Sequence, residues 1–195
     1  MLGRRLEIIC AGFGGQGVML MGQLLAYAGM RCGLQVTWMP SYGPEQRGGT
    51  ANCTVVISEG DIASPIVARP HVAVVMNPPS FEKFEPRVMP HGVLLVNSSM
   101  VGDLSERTDI DVFYIPAVEV AGSLGDEHTA NMVMAGALLS ATGALPLEAV
   151  VEEMGHNISG SKTHLIEPNR RALRAGYGLI PADTRHPLYF KVAAS

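Results

Sequence analysis

Short runs of apolar residues alternate with segments rich in glycine, proline and polar side chains as far as Ile115. Continuous apolar runs that are rich in valine and isoleucine are typical of strands buried on both faces of a sheet. The pattern predicts strands at residues 6–11, 34–39, 50–58, 71–77, 92–97 and 112–115. The second strand is expected to end at Pro40 and the fourth at Pro78.

Helical patterns lie between these strands and fill the last third of the chain. Residues 18–30 place apolar side chains on nearly every helical face, which is typical of a helix packed against a sheet, and Gly33 is a plausible stop. Further helices are predicted at 81–88, 117–124, 127–142, 147–154 and 162–175. This order indicates an α/β fold with a mostly parallel sheet flanked by helices and a helical C-terminal third.

A glycine-rich turn separates the first predicted strand from the first predicted helix. Its sequence, GFGGQG at 12–17, fits the pattern G-x-G-x-x-G. Glycine lets backbone N–H groups approach a ligand closely, and the start of the helix offers unpaired N–H groups and a positive dipole end to an anion. The alternative is a tight turn in which the glycines serve only the packing of strand on helix.

A dinucleotide site would require an acidic residue about 20 positions further on, at the end of the second strand. That strand ends in Thr37, Trp38, Met39 and Pro40, and the first acid beyond it is Glu45, inside the next loop. A phosphate-binding P-loop is also excluded, because the glycine turn carries no lysine. The turn therefore needs a different ligand or a different role.

A second polar, glycine-dense loop follows the second predicted strand, at residues 41–49. In a parallel sheet this loop lies at the same edge as the glycine turn, where α/β sheets bind ligands. The alternative is an ordinary surface loop with an exposed ion pair worth less than about 1 kcal/mol. The candidate residues of this loop are Ser41, Tyr42, Gly43, Glu45, Arg47, Gly48 and Gly49.

Composition narrows the class of protein. The 195 residues carry a net charge of −4 and no cluster of basic residues, so a nucleic-acid footprint is absent. No apolar stretch approaches the roughly 20 residues of a membrane span, and no signal peptide is present, so a cytoplasmic protein is expected. Only 16% of residues are charged and 47% are apolar, which fits buried parallel strands, or an apolar surface covered by another subunit.

Cysteine and histidine positions predict neither a metal site nor a catalytic residue in this chain. Cys10, Cys32 and Cys53 are too far apart in sequence for a CxxC motif or an iron–sulfur ligand set. We expect all three to be small buried thiols. The histidines at 128, 156 and 164 form no pair at helical spacing.

The two loop motifs together resemble the gamma subunit of 2-oxoacid:ferredoxin (acceptor) oxidoreductases, especially the 2-oxoglutarate and 2-ketoisovalerate branches. These motifs are GFGGQGV at 12–18 and SYGPEQRGG at 41–49. Asn131 and Met132, followed by AGALL at 135–139, are similar to the family's later N-M-x-x-x-G-A-L helix. The order and spacing of the motifs match across residues 6–139, and their combination is specific, whereas either loop alone is not.

The resemblance implies a Rossmann-like gamma domain over residues 1–178, with residues 179–195 as a C-terminal arm. It also implies a place in a complex that oxidatively decarboxylates a 2-oxoacid, with 2-oxoglutarate as the first candidate. The complex uses coenzyme A and yields an acyl-CoA, CO2 and electrons for ferredoxin. The implied partners are alpha and beta subunits that bind thiamine diphosphate and Mg²⁺, and a ferredoxin-like subunit, with the iron–sulfur clusters also on partner chains.

This chain itself lacks the G-D-G and N-N motifs with which thiamine enzymes hold Mg²⁺ and diphosphate, so it is expected to be a non-redox subunit that assists assembly and the coenzyme A side. The resemblance makes Gly12, Phe13, Gly14, Gly15, Gln16 and Gly17 the candidates for contact with coenzyme A or a partner chain. The loop at 41–49 and Asn131 would form the adjoining wall. Two alternatives stay open: a free-standing Rossmann-type nucleotide-binding oxidoreductase, and a structural assembly module.

Overall fold

A computed structural model describes residues 4–43, 50–157 and 160–184, and in them the chain folds as one mixed sheet with helices on both faces. The strands of the described chain are β1 Arg5–Phe13, β2 Gln35–Tyr42, β3 Thr50–Ser58, β4 Val72–Val75, β5 Val93–Asn97 and β6 Asp111–Ile115. The α-helices are α1 Val18–Arg31, α2 Pro78–Phe84, α3 Ala117–Ser123, α4 Ala130–Thr142, α5 Leu147–Asn157 and α6 Ile166–Gly178.

The strand order across the sheet is β2-β3-β1-β4-β5-β6. β1, β4, β5 and β6 run parallel to one another, whereas β3 is antiparallel to both of its neighbours, β1 and β2. β2 therefore points in the same direction as β1, with β3 between them. The predicted α/β class with a mostly parallel sheet and a helical C-terminal third is confirmed. The antiparallel direction of β3 was not predicted.

Alternating side chains along the strands enter two separate cores. Ile8, Cys10 and Val74 face a large core under α1 and α3–α6, whereas Ile9, Ala73 and Leu94 face a smaller core closed by α2 and the loops around it. The central strands β4 and β5 are buried at every position, which explains their continuous apolar sequences.

Two helices of the C-terminal third cross at backbone contact distance. A Cβ atom added at Gly136 of α4 would overlap the carbonyl oxygen of Leu173, and one added at Gly176 of α6 would overlap that of Val133. Glycine is therefore required at both positions by the close approach of the two helices. α4 is buried at all of its positions, so it forms the centre of the larger core.

Several predicted boundaries are corrected by the structure. β2 does not end at Pro40 but continues to Tyr42, because it is the edge strand, where proline is tolerated. β1 extends through Gly12 to Phe13. The helix predicted at 81–88 begins earlier, at Pro78, because Asn77 caps it and proline suits the first helical turn. The last predicted helix is shifted to Ile166–Gly178.

The start of the predicted arm packs on the large core through Ile180, which is buried. Residues 185–195 lie outside the described chain, so the arm itself stays a prediction. None of the described helices is both long and apolar enough to cross a membrane.

Candidate functional site

Three strand ends meet at one edge of the sheet. In the register of the ladders, Phe13 at the end of β1 pairs with Thr50 at the start of β3, and Tyr42 at the end of β2 pairs with Ala51. The glycine turn and the loop at 41–49 therefore leave the sheet at the same edge, as the sequence predicts. Two strand spacings of about 4.8 Å each separate the ends of β1 and β2.

The glycine turn is a tight reversal followed directly by α1. Gln16 donates its backbone N–H to the carbonyl oxygen of Phe13 at 3.1 Å, and Gly15 has a φ of +98°, a value that favours glycine. Gly14 and Gly15 are exposed, and a Cβ added at Gly15 would meet open space. Glycine at position 15 is thus required by backbone conformation, and the exposed turn leaves room for a ligand or a partner chain.

The side chain of Gln16 ties the turn to the neighbouring strand. Its Oε1 accepts hydrogen bonds from the backbone N–H of Phe13 at 2.7 Å and from Nδ2 of Asn77 at 3.2 Å. Its Nε2 donates to the carbonyl oxygen of Met76 at 3.2 Å. Gln16 therefore holds the ends of β1 and β4 together, a role that the sequence motif does not reveal.

Gly12 has no room for a side chain beside this amide. A Cβ at Gly12 would lie 2.7 Å from Oε1 of Gln16 and 2.9 Å from Cβ of Met76. The first glycine of the motif is thus explained by the close approach of β1, β4 and the Gln16 side chain.

Asn77 belongs to this edge and is missing from the predicted residues. It is fully buried, and its Oδ1 accepts a hydrogen bond from the backbone N–H of Ser80 at 2.9 Å, which caps α2. The sequence carries the signal, since asparagine before two prolines and after a strand is typical of a helix N-cap. Asn77 links the cap of α2 to the glycine turn through Gln16.

Asn131 packs against the last glycine of the turn, from the second residue of α4. Its Nδ2 donates to the carbonyl oxygen of Gly17 at 3.2 Å, and a Cβ at Gly17 would overlap this amide. Gly17 has a φ of +73° and begins α1 with no side-chain cap, so no side chain among the described residues accepts a hydrogen bond from the N–H groups of the first turn of α1. The structure thus brings Asn131 and the glycine turn together, and the amide braces the turn.

The second loop is described only at its two ends. Ser41 and Tyr42 are exposed at the end of β2, and the backbone N–H of Gly43 donates to the carbonyl oxygen of Thr50 at 2.9 Å. Tyr42 is 70% exposed, so its ring is available for contact at this edge. Glu45, Arg47, Gly48 and Gly49 lie outside the described residues, and their part in a site stays a prediction.

The described side chains at this edge carry no titratable group that contacts the glycine turn. The side chains that hydrogen-bond to the turn in the described part of the chain are the amides of Gln16, Asn77 and Asn131, which do not titrate. Among the described residues, no three His, Cys, Asp or Glu side chains converge as a metal site would need. Exposed glycine backbone and uncapped helix N–H groups suit an anion or a partner's backbone.

The topology gives a physical reason for the missing ribose-binding acid. In the classic dinucleotide fold the strand beside β1 is parallel and carries that acid at its carboxyl end. Here the neighbour of β1 on the side of β2 is β3, whose antiparallel direction brings its first residue, Thr50, to this edge, and β2 is displaced by one strand. The edge therefore lacks the usual arrangement of a dinucleotide site.

Comparison with known proteins identifies relatives over most of the chain. The protein-family model described as pyruvate ferredoxin/flavodoxin oxidoreductase matches residues 7–179. The 2-oxoglutarate synthase subunit KorC of Methanothermobacter marburgensis is 37% identical over 183 residues, which cover 90% of this chain and 97% of KorC.

The ketoisovalerate oxidoreductase subunit VorA of Methanothermobacter marburgensis is 39% identical over 175 residues. The matched part covers 89% of this chain and 36% of VorA, so the chain spans about a third of that relative. Among solved structures, the gamma subunit of keto/oxoacid ferredoxin oxidoreductase from Geobacter sulfurreducens superposes with a TM-score of 0.79 at 29% identity. The superposition covers 90% of this chain and 95% of that subunit.

Proposed function

Because this chain belongs to the pyruvate ferredoxin/flavodoxin oxidoreductase family, we propose that it is the gamma subunit of a 2-oxoacid:ferredoxin oxidoreductase. The complex would convert a 2-oxoacid and coenzyme A into an acyl-CoA and CO2, and would pass the electrons to ferredoxin. The chain would act in the cytoplasm as a non-redox subunit that supports assembly and the coenzyme A side of the reaction.

The observation that carries this proposal is the nearly complete match with KorC, which covers 90% of one chain and 97% of the other. VorA, by contrast, extends well beyond the matched third.

We propose 2-oxoglutarate as the substrate, since two 2-oxoglutarate synthase subunits combine matches over 97% and 98% of their length with identities of 37% and 36%. The second candidate is ketoisovalerate, because VorA has the slightly higher identity of 39%. The residues that choose between these substrates would lie on the partner that holds thiamine diphosphate, where the 2-oxoacid reacts. An activity assay with both substrates therefore decides the question.

The sheet edge is the part of this chain that we propose to face coenzyme A or the partner subunits. Coenzyme A carries phosphates, and the uncapped N-terminus of α1 beside Gly14 and Gly15 offers N–H donors and a positive dipole end to such a group. Arg47, in the adjoining loop, would add a planar donor fork for phosphate or carboxylate. Gln16, Asn77 and Asn131 would hold the turn in place.

The chemistry of decarboxylation and electron transfer would belong to the partners. Thiamine diphosphate would supply the electron sink for decarboxylation, and iron–sulfur clusters would carry the electrons; a protein supplies position and electrostatics to such cofactors. We propose that alpha and beta subunits hold thiamine diphosphate and Mg²⁺, that a ferredoxin-like subunit holds clusters, and that ferredoxin accepts the electrons.

The proposal is tested by purifying this chain with an affinity tag from its native host under anaerobic conditions. We expect the purified complex to reduce a viologen dye only when both a 2-oxoacid and coenzyme A are present. The isolated chain is expected to show no such activity. If the isolated chain oxidises the 2-oxoacid by itself, the proposed division of labour is wrong.

The role of the sheet edge is tested with a matched pair of glycine variants. Gly15 and Gly33 both have positive φ values, +98° and +76°, and both have open space around an added Cβ. Gly15→Ala and Gly33→Ala therefore impose a similar backbone strain of about 1–2 kcal/mol. Gly33 follows the far end of α1, so only Gly15→Ala should raise the KM for coenzyme A or weaken assembly. If the two variants change the KM for coenzyme A and the assembly equally, the proposed role of the sheet edge is wrong.

A further inference from the structure

Two cysteine thiols face each other in the large core, directly beneath the glycine turn. Cys10 of β1 and Cys53 of β3 are opposite one another in the antiparallel ladder, two residues before Gly12 and two after Ala51. Both side chains are completely buried, and both thiols are free. The 42 residues between them in sequence hide this pairing, which the strand register reveals.

The surroundings of Cys53 are shaped around its sulfur. A Cβ at Gly22 of α1 would overlap Sγ of Cys53, so α1 has a notch at this point. The Cys53 thiol donates a hydrogen bond to the carbonyl oxygen of Val18 at 3.3 Å, in the first turn of α1. The indole nitrogen of Trp38 lies 3.1 Å from the same Cβ position at Gly22, and its N–H makes no hydrogen bond within the described residues.

The two thiols also differ in acidity. A hydrogen bond from the Cys10 thiol lowers the pKa of Cys53, and the nearby indole N–H of Trp38 adds to this effect. The same contact with Cys53, together with burial, raises the pKa of Cys10. The direction of these shifts makes Cys53 the more acidic thiol of the pair.

The backbone geometry allows a bond between the two sulfurs. Residues directly opposite in an antiparallel pair have Cα atoms about 4.5–5.5 Å apart. Disulfides span Cα separations of about 4.4–6.8 Å, so the Cα spacing of opposite residues lies within the range that a disulfide requires. A disulfide would, however, draw Sγ of Cys53 toward β1 and away from the carbonyl oxygen of Val18.

We propose that Cys10 and Cys53 form a dithiol site that a small hydroperoxide oxidises to a cross-strand disulfide. Cys53 attacks the peroxide oxygen and becomes a sulfenic acid, with release of water or an alcohol. Cys10 then attacks the Cys53 sulfur, and the oxygen leaves as water. In total, two thiols lose two protons and two electrons, and the peroxide O–O bond takes them up.

Oxidation of this pair would change a contact beside the proposed binding edge. It removes the hydrogen bond to Val18, which lies next to Gly17 at the start of α1. The dithiol site therefore connects the redox state of the core to the helix end that follows the glycine turn. This inference does not depend on the proposed function, because it concerns thiols inside this chain alone.

The test uses the purified full chain with Cys32 replaced by serine, so that the remaining thiols are Cys10 and Cys53. After treatment with hydrogen peroxide and unfolding, we expect the titratable thiols to fall from two to zero and the mass to fall by about 2 Da. Peptide mapping without reductant should then find the peptides of Cys10 and Cys53 linked. Dithiothreitol should restore both thiols.

The control is the further change Cys10→Ala in the same Cys32→Ser background. This variant should add oxygen to Cys53 instead of losing about 2 Da. Because a core variant can fail to fold, the wild-type chain gives an independent reading, with the partly exposed Cys32 as an internal measure of oxidation. If Cys32 is fully oxidised while the Cys10 and Cys53 peptides stay unlinked, the proposed dithiol site is wrong.

Discussion

Replacing Gln16 with alanine tests the physical account of the sheet edge. The Gln16 amide makes three hydrogen bonds, to the backbone of Phe13 and Met76 and to the side chain of Asn77. Alanine would leave all three partners without this contact. One of them, Asn77, is fully buried, so its amide cannot exchange the lost bond for water at the surface.

The expected size of the effect follows from these contacts. A neutral hydrogen bond contributes a net stability of about 1 kcal/mol, so three bonds correspond to a loss of about 3 kcal/mol in the free energy of unfolding. For a chain of this length, each kcal/mol shifts the melting temperature by about 2–4 °C. Gln16→Ala should therefore melt about 6–12 °C below the wild-type chain.

Urea unfolding and thermal melts of the isolated chain measure this loss. The matched control is Gln35→Ala at the exposed start of β2, which should change the unfolding free energy by less than about 0.5 kcal/mol. Gln16→Glu should fall between the two, since it keeps both acceptor contacts but points a carboxylate oxygen at the carbonyl of Met76. Equal melting temperatures for Gln16→Ala and Gln35→Ala would refute the bracing role of Gln16.

Other variants test other parts of the fold. Gly136→Ala should lower the free energy of unfolding by about 3 kcal/mol or more, because a Cβ there overlaps the backbone of α6. Gly178→Ala has open space around the added Cβ and should change it little; urea titration of both variants measures the difference. Burial lowers the pKa of His71, whose Nδ1 accepts a hydrogen bond from the backbone N–H of Glu7 at 3.1 Å. Folding thus favours the neutral imidazole of His71. Its contribution to the free energy of unfolding is fully present above the unfolded pKa of about 6.5 and is lost as pH falls through the lower folded pKa. His71→Asn, which keeps an acceptor, should flatten the fall in unfolding free energy between pH 7 and 5; an unchanged slope would contradict this assignment.

Hydrophobic runs were sufficient to predict the strands and their alternation with helices. β4 and β5 are completely buried, so their apolar sequences leave little doubt about their structure. The direction of β3 could not be predicted, since strand periodicity is the same in parallel and antiparallel neighbours. The prediction that β2 ends at Pro40 was wrong for a related reason. Proline is tolerated within β2 because β2 is an edge strand, which the sheet order alone reveals.

The common sheet edge of the two loops was predicted correctly, but the contacts within it were not. The common edge of the glycine turn and the loop at 41–49 follows from strand direction, which β1 and β2 share. The bracing contacts of the turn come from Asn77 and Asn131, 61 residues beyond Gln16 and 114 beyond Gly17 respectively, and a local motif holds no information about them. Asn77 could have been found, since asparagine before two prolines is an N-cap signal.

The family motifs acquire physical explanations from the structure. In the helix motif that begins at Asn131, the asparagine binds the carbonyl oxygen of Gly17, and Gly136 lets α6 approach α4. In the glycine turn, Gly12 is required by contact and Gly15 by backbone conformation. Gly14 and Gly15 are the exposed residues of the turn, which makes them the part of the motif most directly open to a ligand or partner.

The most direct test of the central claim is the activity of the complex that the tagged chain brings down from its native host. Viologen reduction should require 2-oxoglutarate or ketoisovalerate together with coenzyme A, and should be faster with 2-oxoglutarate. Gly15→Ala should raise the KM for coenzyme A or lower the yield of complex, whereas Gly33→Ala should do neither. Recovery of the tagged chain alone, with no activity dependent on a 2-oxoacid and coenzyme A, would contradict the account.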